Sequence, residues 1–386
     1  MTVWGSSNNI AGAPRGTIDS PGAPALSHIG YLAVLGFNLN IIMEIIIGLL
    51  IIAIGAFCQS SCYVPINKIK SWSWESYWLV QGIFAWIVFP LMGALLAVPE
   101  GHSITELIAN GSSFDIWMTV LFGALWGVGG LTFGLSMRYL GVALGQSIAL
   151  GTCAGLGTIM GPVLLNIFFP EEDALSRLTF AVILGVVVTL AGIAIIGVAG
   201  SMKAASLSEE EKKAAVKDFN FPKGLAIALL AGFMSGCFNV GLEFGKGINF
   251  GDLTPDMYKT LPATLLVTLG GFITNAAYCF FQNAKNKTWG DYSKSGVLAN
   301  NIVFCALAGA LWYSQFFGLS LGKGFLTASD TLMTLSFCIL MALNVVFSNV
   351  WGIILKEWKG CSKKTIVVLI VGIVVLIISS FLPQLV

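Results

Sequence analysis

Charged residues are scarce in this sequence: only 10 % of its 386 residues are Asp, Glu, Lys or Arg. An ordinary soluble domain carries about 25 %. Apolar residues make up 56 % of the chain, and its mean hydropathy is +0.86. So little charge could not cover a soluble protein of this length, and much apolar surface must therefore face something other than water. The composition excludes a soluble enzyme, a disordered chain and a secreted disulfide scaffold, and it predicts a membrane protein.

Groups that carry out catalysis or bind metals are also few. The sequence contains two histidines and no HExxH, GxSxG or P-loop pattern. Seven of the eight cysteines fall inside apolar runs, where cysteine usually acts as a small packing residue. The net charge of +1 gives no field that would attract a nucleic acid. We therefore expect no enzyme, no cofactor, no metal site and no nucleic-acid partner.

Long apolar runs are what the sequence has in abundance. A bilayer crossing needs about 20 mostly apolar residues, and ten such runs follow one another along the chain. Runs such as 183–198 do not alternate polar and apolar residues, as barrel strands would. The sequence therefore predicts an all-α polytopic membrane protein with about ten transmembrane helices. The predicted spans are residues 43–64, 75–98, 115–136, 139–168, 178–199, 223–244, 258–281, 297–321, 328–352 and 365–385.

The few cations are distributed unevenly between the loops. Fifteen of the twenty Lys and Arg residues lie in the first, third, fifth, seventh and ninth loops. The alternate loops hold only Arg177, Lys246, Lys259 and Lys323. The positive-inside rule places the cation-rich loops in the cytoplasm, and both termini then lie outside.

Two segments do not read as spans. Residues 1–42 form an N-terminal extension, in which residues 6–24 are rich in Gly, Ala, Pro and Ser and are predicted to be disordered. The apolar stretch 26–39 either lies in the membrane interface or prolongs the first helix outward. Residues 201–222 form a charged cytoplasmic connector, predicted to carry a short surface helix.

Two pairs of motifs recur at an interval of five helices. The letters GALW, followed a few residues later by FGLS, begin at Gly123 in the third span and at Gly309 in the eighth. The letters SSCY at residues 60–63 of the first span resemble SGCF at residues 235–238 of the sixth. These letters are common in membrane helices, so each match alone means little. Two matches in the same register indicate an internal repeat.

An interval of five helices places the two copies in opposite orientations across the membrane. The sequence thus predicts two inverted five-helix repeats, residues 43–200 and residues 223–386. Inverted repeats are the architecture of secondary transporters, which bind substrate near the midplane and expose it to each side in turn. The repeat favours a carrier over a channel or an intramembrane enzyme.

Several segments resemble the L-rhamnose–proton symporter family, and together they cover essentially the whole chain from Met43 onward. The most specific are the tryptophan-rich loop YVPINKIKSWSWE and the segment WYSQFF. The glycine-rich segments are less specific. The matching segments are residues 63–75, 126–129, 137–141, 219–224, 311–317 and 355–358.

The resemblance implies both a fold and an activity. The family belongs to the drug/metabolite transporter superfamily, whose ten-helix members consist of two inverted five-helix halves. The implied activity is uptake of L-rhamnose or a related 6-deoxyhexose, driven by a proton gradient across the inner membrane of a bacterium. The expected partners are a sugar, a proton and the lipid bilayer, and the oligomeric state is left open.

A sugar site needs an aromatic platform for C–H faces and hydrogen-bonding groups for hydroxyls. Some candidates lie in the WYSQFF motif, and one is the tryptophan that occupies the equivalent position in the other repeat. The others lie on the same helix face as polar neighbours. Bundle packing, an interface belt or interhelical hydrogen bonds are the alternative explanations for each. The predicted sugar-binding residues are Trp312, Tyr313, Gln315, Trp126, Gln59, Tyr63 and Asn239.

Proton coupling needs an ionisable group that water and substrate can both reach. Most acids lie in loops or within one turn of a helix end, whereas Glu243 lies furthest along a polar helix stripe. An ionised group in lipid is costly, so an intramembrane acid is a functional candidate by default. We predict that Glu243 carries the proton. The alternative is a structural pair with Lys246, three residues further on.

Three functions remain open from the sequence. The first is a proton-coupled carrier of L-rhamnose or a related sugar. The second is a carrier of another solute, such as an amino acid, a drug or a nucleotide sugar. The third is a membrane sensor or scaffold that transports nothing. The repeat favours either carrier over the scaffold, and the tryptophan motifs favour the first carrier.

Overall fold

The computed structural model describes residues 23–140, 142–206, 220–354 and 358–382. Within these ranges the chain is helical without a strand, and ten helices are long and apolar enough to cross a membrane. The predicted all-α polytopic fold is confirmed. The helices are α1 (Ala23–Ser61), α2 (Trp74–Leu95), α3 (Ser113–Leu140), α4 (Val142–Phe168), α5 (Phe180–Ala205), α6 (Phe221–Phe244), α7 (Leu261–Asn286), α8 (Ser295–Gly324), α9 (Asp330–Ile354) and α10 (Lys363–Phe381).

The chain divides into two compact units, Met1–Glu44 and Ile45–Val386. Helix α1 begins at Ala23, so the apolar stretch 26–39 is helical. Residues 1–22 lie outside the described ranges, and so does most of the predicted 6–24 segment. The charged run of the predicted connector also lies outside them, at residues 207–219.

Side-chain caps account for several helix starts. At the start of α6, the side-chain oxygen of Asn220 accepts a hydrogen bond from the backbone N–H of Lys223. Such a bond satisfies one of the N–H groups that a helix leaves free in its first turn. A short helix that the hydropathy pattern did not predict, Ile104–Asn110, begins with a reciprocal capping box between Ser103 and Glu106.

Helix α2 changes its pitch midway. Phe84–Val88 form a π turn between the α-helical segments Trp74–Ile83 and Phe89–Leu95. Pro90 has no N–H to donate to the carbonyl of Trp86, four residues before it, and the proline ring crowds that carbonyl. The helix therefore widens just before the proline, and this wider turn carries Trp86.

Loops from alternate connections meet at the same end of the bundle. Thr254, between α6 and α7, donates a hydrogen bond to the carbonyl oxygen of Ala97, between α2 and α3, at 3.0 Å. Lys246, after α6, pairs with Glu172, between α4 and α5. We name this end the outer end and the other the cytoplasmic end, because the cation distribution predicts those sides.

The packing between helices follows the predicted five-helix interval. α6 packs along α3 and α4, and α7 packs against α3. Replacing each of these helices by the one five positions away in the chain gives the equivalent contacts: α1 with α8 and α9, and α2 with α8. α2 with α7, α4 with α9, and α5 with α10 pair directly. Exchanging the two halves leaves these contacts unchanged, which supports the predicted inverted repeat.

The crossing of α3 and α7 brings two backbones into contact. A Cβ atom on Gly123 would lie 2.1 Å from the carbonyl oxygen of Val267, and one on Gly270 would lie 2.1 Å from that of Val120. Only glycine fits such a crossing, as in other membrane helix pairs. Gly123 is the first residue of the GALW motif, so the motif's glycine serves helix packing.

We expect Gly123→Ala to destabilise the bundle by roughly 1–3 kcal/mol, the usual cost of overpacking. The control is Gly130→Ala on the same helix, because no atom lies within 4 Å of a Cβ built there. The measurement is the apparent Tm and the monodisperse yield of each variant in detergent. Equal Tm values for the two variants would contradict the described crossing.

Candidate functional site

Five aromatic side chains from four helices meet inside the bundle. They are Trp86 of α2, Trp126 of α3, Phe238 of α6, and Trp312 and Phe316 of α8. We name them the central aromatic cluster. The two tryptophans of the GALW motifs both belong to it, so the structure brings the predicted residues Trp126 and Trp312 together.

The three tryptophans form a triangle. The ring centroids of Trp126 and Trp312 are 5.6 Å apart, at an interplanar angle of 35°. Trp86 stands edge-on to both rings, at 5.8 Å and 90° to Trp126 and at 5.9 Å and 84° to Trp312. Edge-to-face pairs at this separation are favourable because the ring edge is positive and the ring face is negative. Trp86 of α2 therefore contacts one tryptophan from each predicted repeat.

Two phenylalanines continue the cluster, one from α6 and one from α8, a turn after Trp312. Phe238 and Phe316 stack at 3.9 Å with an interplanar angle of 15°. Each also meets a tryptophan edge-on, Phe238 with Trp126 at 5.1 Å and Phe316 with Trp312 at 5.3 Å. The aromatic rings thus close the space between α3, α6 and α8.

The hydropathy pattern did not single out Trp86, although it is 4 % exposed and lies at the centre of the cluster. Its position depends on the π turn before Pro90. A proline sixteen residues into a predicted span is a visible signal of such a distortion, and it could have directed attention to the turn before it. The indole ring of Trp86 also meets Trp78 at 5.6 Å, and Trp78 stacks on Trp74 at 5.2 Å.

Several buried polar atoms near these helices have no hydrogen-bond partner. The acceptors are Oε1 of Gln59 and Gln81 and Oδ1 of Asn239 and Asn344, and the groups able to donate are Nε1 of Trp72 and Trp86 and the hydroxyl of Tyr313. Buried polar atoms in native proteins are nearly always paired, so a group of exceptions indicates water or a ligand. Four amide oxygens without partners match the hydroxyl donors of a polyol.

Two of these amides are held in place by one side-chain bond each. The side-chain nitrogen of Asn239 donates to the carbonyl oxygen of Gly157 on α4 at 2.8 Å. The side-chain nitrogen of Asn344 on α9 donates to Oε1 of the predicted residue Gln315 at 3.0 Å. Ser60 of α1 donates to the backbone carbonyl of Asn344 at 3.2 Å. Asn344 was not predicted, because its connection to Gln315 depends on the contact between α8 and α9.

The two predicted tyrosines have different surroundings. Tyr313 is 6 % exposed, and its hydroxyl lies where a Cβ on Gly93 of α2 would be. Tyr63 begins the short helix Tyr63–Ile66 after α1 and is 57 % exposed. Among the described residues, Tyr63 makes none of the ring contacts that form the central aromatic cluster. The structure therefore brings Tyr313 close to α2 but not Tyr63 to the cluster.

Glu243 lies near the outer end of α6. Its Oε2 accepts a hydrogen bond from Nη1 of Arg177, in the loop between α4 and α5, at 3.2 Å. The side chain of Lys246 pairs instead with Glu172. Lys323 of α8 is 9 % exposed and interacts electrostatically with both Glu243 and Arg177. The cation bonded to Glu243 is therefore Arg177, and not Lys246.

A second polar network ties together the cytoplasmic end. Oδ2 of Asp291, between α7 and α8, accepts bonds from the backbone and hydroxyl of Ser73 and the hydroxyl of Ser76, at the start of α2. Lys294 donates to Oδ1 at 2.6 Å. Burial alone would raise the pKa of Asp291, but the bonds from Lys294, Ser73 and Ser76 lower it to about 2.

A ten-helix bundle whose interior holds tryptophan faces, unpaired amide oxygens and a partly buried acid is typical of a secondary transporter. Residues 40–385 match the family described as L-rhamnose-proton symport protein (RhaT). The chain belongs to this family, as the tryptophan-rich motifs predicted.

Relatives of known name lead to the same family. A protein of Yersinia pestis (strain Pestoides F), named L-rhamnose-proton symporter, is 32 % identical over 354 residues, which cover 87 % of this chain and 96 % of that protein. A protein of the same name from Yersinia pseudotuberculosis serotype O:1b (strain IP 31758) has the same identity and coverage. The match thus extends over nearly the full length of these relatives.

The cytoplasmic network predicts a pH dependence of stability. The pKa of Asp291 is lowered in the folded protein, so its contribution is present above about pH 4 and is lost as the pH falls towards 2. We expect Asp291→Asn to have a lower Tm than the parent protein in detergent at pH 7. The difference in Tm between the two proteins should become smaller towards pH 3. The control is Asp252→Asn in an outer loop, where the residue is exposed. A gap that stays constant with pH would contradict the assignment.

Proposed function

We propose that this chain takes up L-rhamnose or a related 6-deoxyhexose together with a proton, by alternating access, across the inner membrane of a bacterium. The support comes from membership of the symport family and from the contents of the bundle interior. The observation that carries the proposal is the central aromatic cluster in a bundle that also buries unpaired amide oxygens on α1, α2, α6 and α9. Transport requires no covalent step, so we also propose that the chain is not an enzyme.

The chemistry of a 6-deoxyhexose fits this interior. Its ring presents an apolar C–H face and a methyl group, which pack on indole faces, while its hydroxyls donate to amide oxygens. Trp126 and Trp312 supply the faces, and Gln59, Asn239 and Gln315 supply amides. Tyr313 offers a hydroxyl that has no partner. Tyr63 is also proposed to bind the sugar, although its ring lies outside the central aromatic cluster.

The closed cluster supports one state of an alternating-access cycle. Trp86, Phe238 and Phe316 fill the space between the helices, so a sugar could reach the indole faces only after these rings separate. Since they lie on α2, α6 and α8, such a separation requires the two predicted repeats to move relative to each other.

Glu243 is the proposed carrier of the coupled proton. Its side chain is partly buried near the outer end of a spanning helix and is paired with Arg177. If the two separate, an ionised Glu243 would be an unpaired charge in the membrane, whereas a protonated Glu243 would be neutral. A proton taken from outside water would be released to the cytoplasm in the other state of the cycle. The net charge moved with each sugar would then be that of the proton.

The test of transport is uptake of a panel of labelled sugars into proteoliposomes, with and without an inward proton gradient. We expect gradient-driven accumulation of L-rhamnose or a related 6-deoxyhexose. Flux of another solute alone would favour a different carrier, and no flux of any solute would favour a sensor or scaffold. Sugar flux that ignores the gradient would contradict proton coupling.

We expect Trp126→Ala to raise the KM for the sugar about threefold to tenfold, because one aromatic contact contributes roughly 0.5–1.5 kcal/mol. Trp126→Phe should retain most of the affinity, since a ring face remains. The matched control is Trp117→Ala on the same helix, where the indole is 72 % exposed. An unchanged KM in Trp126→Ala would exclude this ring from the site.

We expect Glu243→Gln to abolish proton movement with the sugar while sugar exchange between equal concentrations continues. The measurement is the pH change in a weakly buffered vesicle suspension on sugar addition. Asp252→Asn, an exposed outer acid, is the control and should behave like the parent protein. Sugar-dependent proton movement by Glu243→Gln would remove Glu243 from this role.

A further inference from the structure

A row of alternating charges crosses the outer end of the bundle. Nζ of Lys246 lies 2.5 Å from Oε2 of Glu172, which lies 3.9 Å from Nη2 of Arg177. The other guanidinium nitrogen, Nη1, lies 3.2 Å from Oε2 of Glu243. We name Lys246, Glu172, Arg177 and Glu243 the charge ladder.

The ladder leads from the surface into the bundle. Side-chain exposure falls from 40 % at Lys246 to 37 % at Glu172, 33 % at Arg177 and 20 % at Glu243. Lys323 of α8 is 9 % exposed and lies near Glu243 and Arg177. A buried lysine in a spanning helix is costly, so its position next to this acid calls for a functional explanation.

The ladder joins the two predicted repeats. Glu172 and Arg177 lie in the loop between α4 and α5, in the first repeat. Glu243 and Lys246 lie at the end of α6, in the second repeat. Both the Lys246–Glu172 pair and the Arg177–Glu243 pair therefore connect one repeat to the other. Any opening at the outer end that separates these segments must break both pairs.

The charge balance of the ladder depends on one proton. When Glu243 is ionised, it and Glu172 face three cations: Lys246, Arg177 and Lys323. Of the helices packed along α6, α4 faces Glu243 with Gly161, where a Cβ would lie 2.8 Å from Cγ of Glu243, and α3 carries the acid Asp115 in its first turn at the outer end. Protonation of Glu243 removes the negative charge that attracts Arg177 across the repeats. The repulsion between the two cations Arg177 and Lys323 then remains.

We propose that the charge ladder is an outer latch that protonation of Glu243 releases, with Arg177 as the positioning residue that closes it. This proposal rests on the proposed role of Glu243 as proton carrier. An external proton binds the carboxylate and the Arg177–Glu243 bond breaks. The more exposed Lys246–Glu172 pair is then the remaining pair between the repeats in the ladder, so the outer end opens more easily to admit the sugar.

The first experiment tests the latch without changing Glu243. The double variant Glu172→Cys/Lys246→Cys replaces the outermost pair with thiols that an oxidant can join. We expect oxidation to abolish most sugar uptake and a reductant to restore it, because the disulfide holds the outer end closed. The single variants are the controls and should keep uptake under oxidation. Uptake by the cross-linked double variant, verified by mass spectrometry, would overturn the proposal.

The second experiment measures sugar exchange as a function of external pH. We expect the parent protein to exchange faster as external pH falls, since protonation opens the latch. Arg177→Gln should lose this dependence and exchange at a high rate throughout. Lys259→Gln is the control, because Lys259 pairs with Asp256 at the same end but lies outside the ladder. A parent-like pH profile in Arg177→Gln would refute the latch.

The outcomes for latch and coupling are separable. If Glu243→Gln stops proton movement but Arg177→Gln keeps the parent pH profile, Glu243 carries the proton and the latch proposal fails. If Glu243→Gln still moves protons with sugar, the coupling role fails whatever the ladder does. Glu171→Gln provides a further matched control, since it neutralises the exposed acid next to Glu172 and should leave the pH profile unchanged.

Discussion

The central constraint on this molecule is that a polar group inside a bilayer must find its partner within the protein. Lipid offers no hydrogen bonds, so helices satisfy their own backbones and polar side chains turn towards neighbouring helices. Asn239 bonded to α4, Asn344 bonded to Gln315, and Glu243 bonded to Arg177 all follow this rule. The few polar atoms that remain unpaired are therefore the most informative ones.

Aromatic rings complement this polar framework. In the central aromatic cluster the rings meet edge to face or stacked, which fills the interior without adding polar atoms that would need partners. The indole nitrogen of Trp86 is the exception, because it is buried without an acceptor. An interior of this kind is apolar enough to exclude ions and still provides hydrogen-bonding groups for a polyol.

Much of the architecture followed from hydropathy and cation placement. Local patterns predicted the ten spans and the family. They also predicted that Trp126 and Trp312 occupy equivalent positions in an internal repeat. What local patterns could not provide were contacts between distant segments. Arg177 lies in a short loop with no distinguishing motif, and its partner Glu243 is 66 residues away. Trp86 depends on a helix distortion, and Asn344 on the way α9 packs against α8. Glu243 lies in the sixth span as predicted, but the sequence pointed to Lys246, three residues further on, as its alternative partner, whereas Arg177 is the residue that pairs with it.

The contact between Gly123 and Val267 has a mechanical consequence. Two helices whose backbones touch cannot approach further and lose packing if they separate, but they can rotate about the point of contact. The outer end of α3 at Ser113 lies ten residues, or about 15 Å, from that point. A rotation of about 10° would displace this end by roughly 3 Å while leaving the crossing in place. The α3–α7 crossing is thus a natural fulcrum, at which small angular changes become large displacements at the two mouths of the bundle.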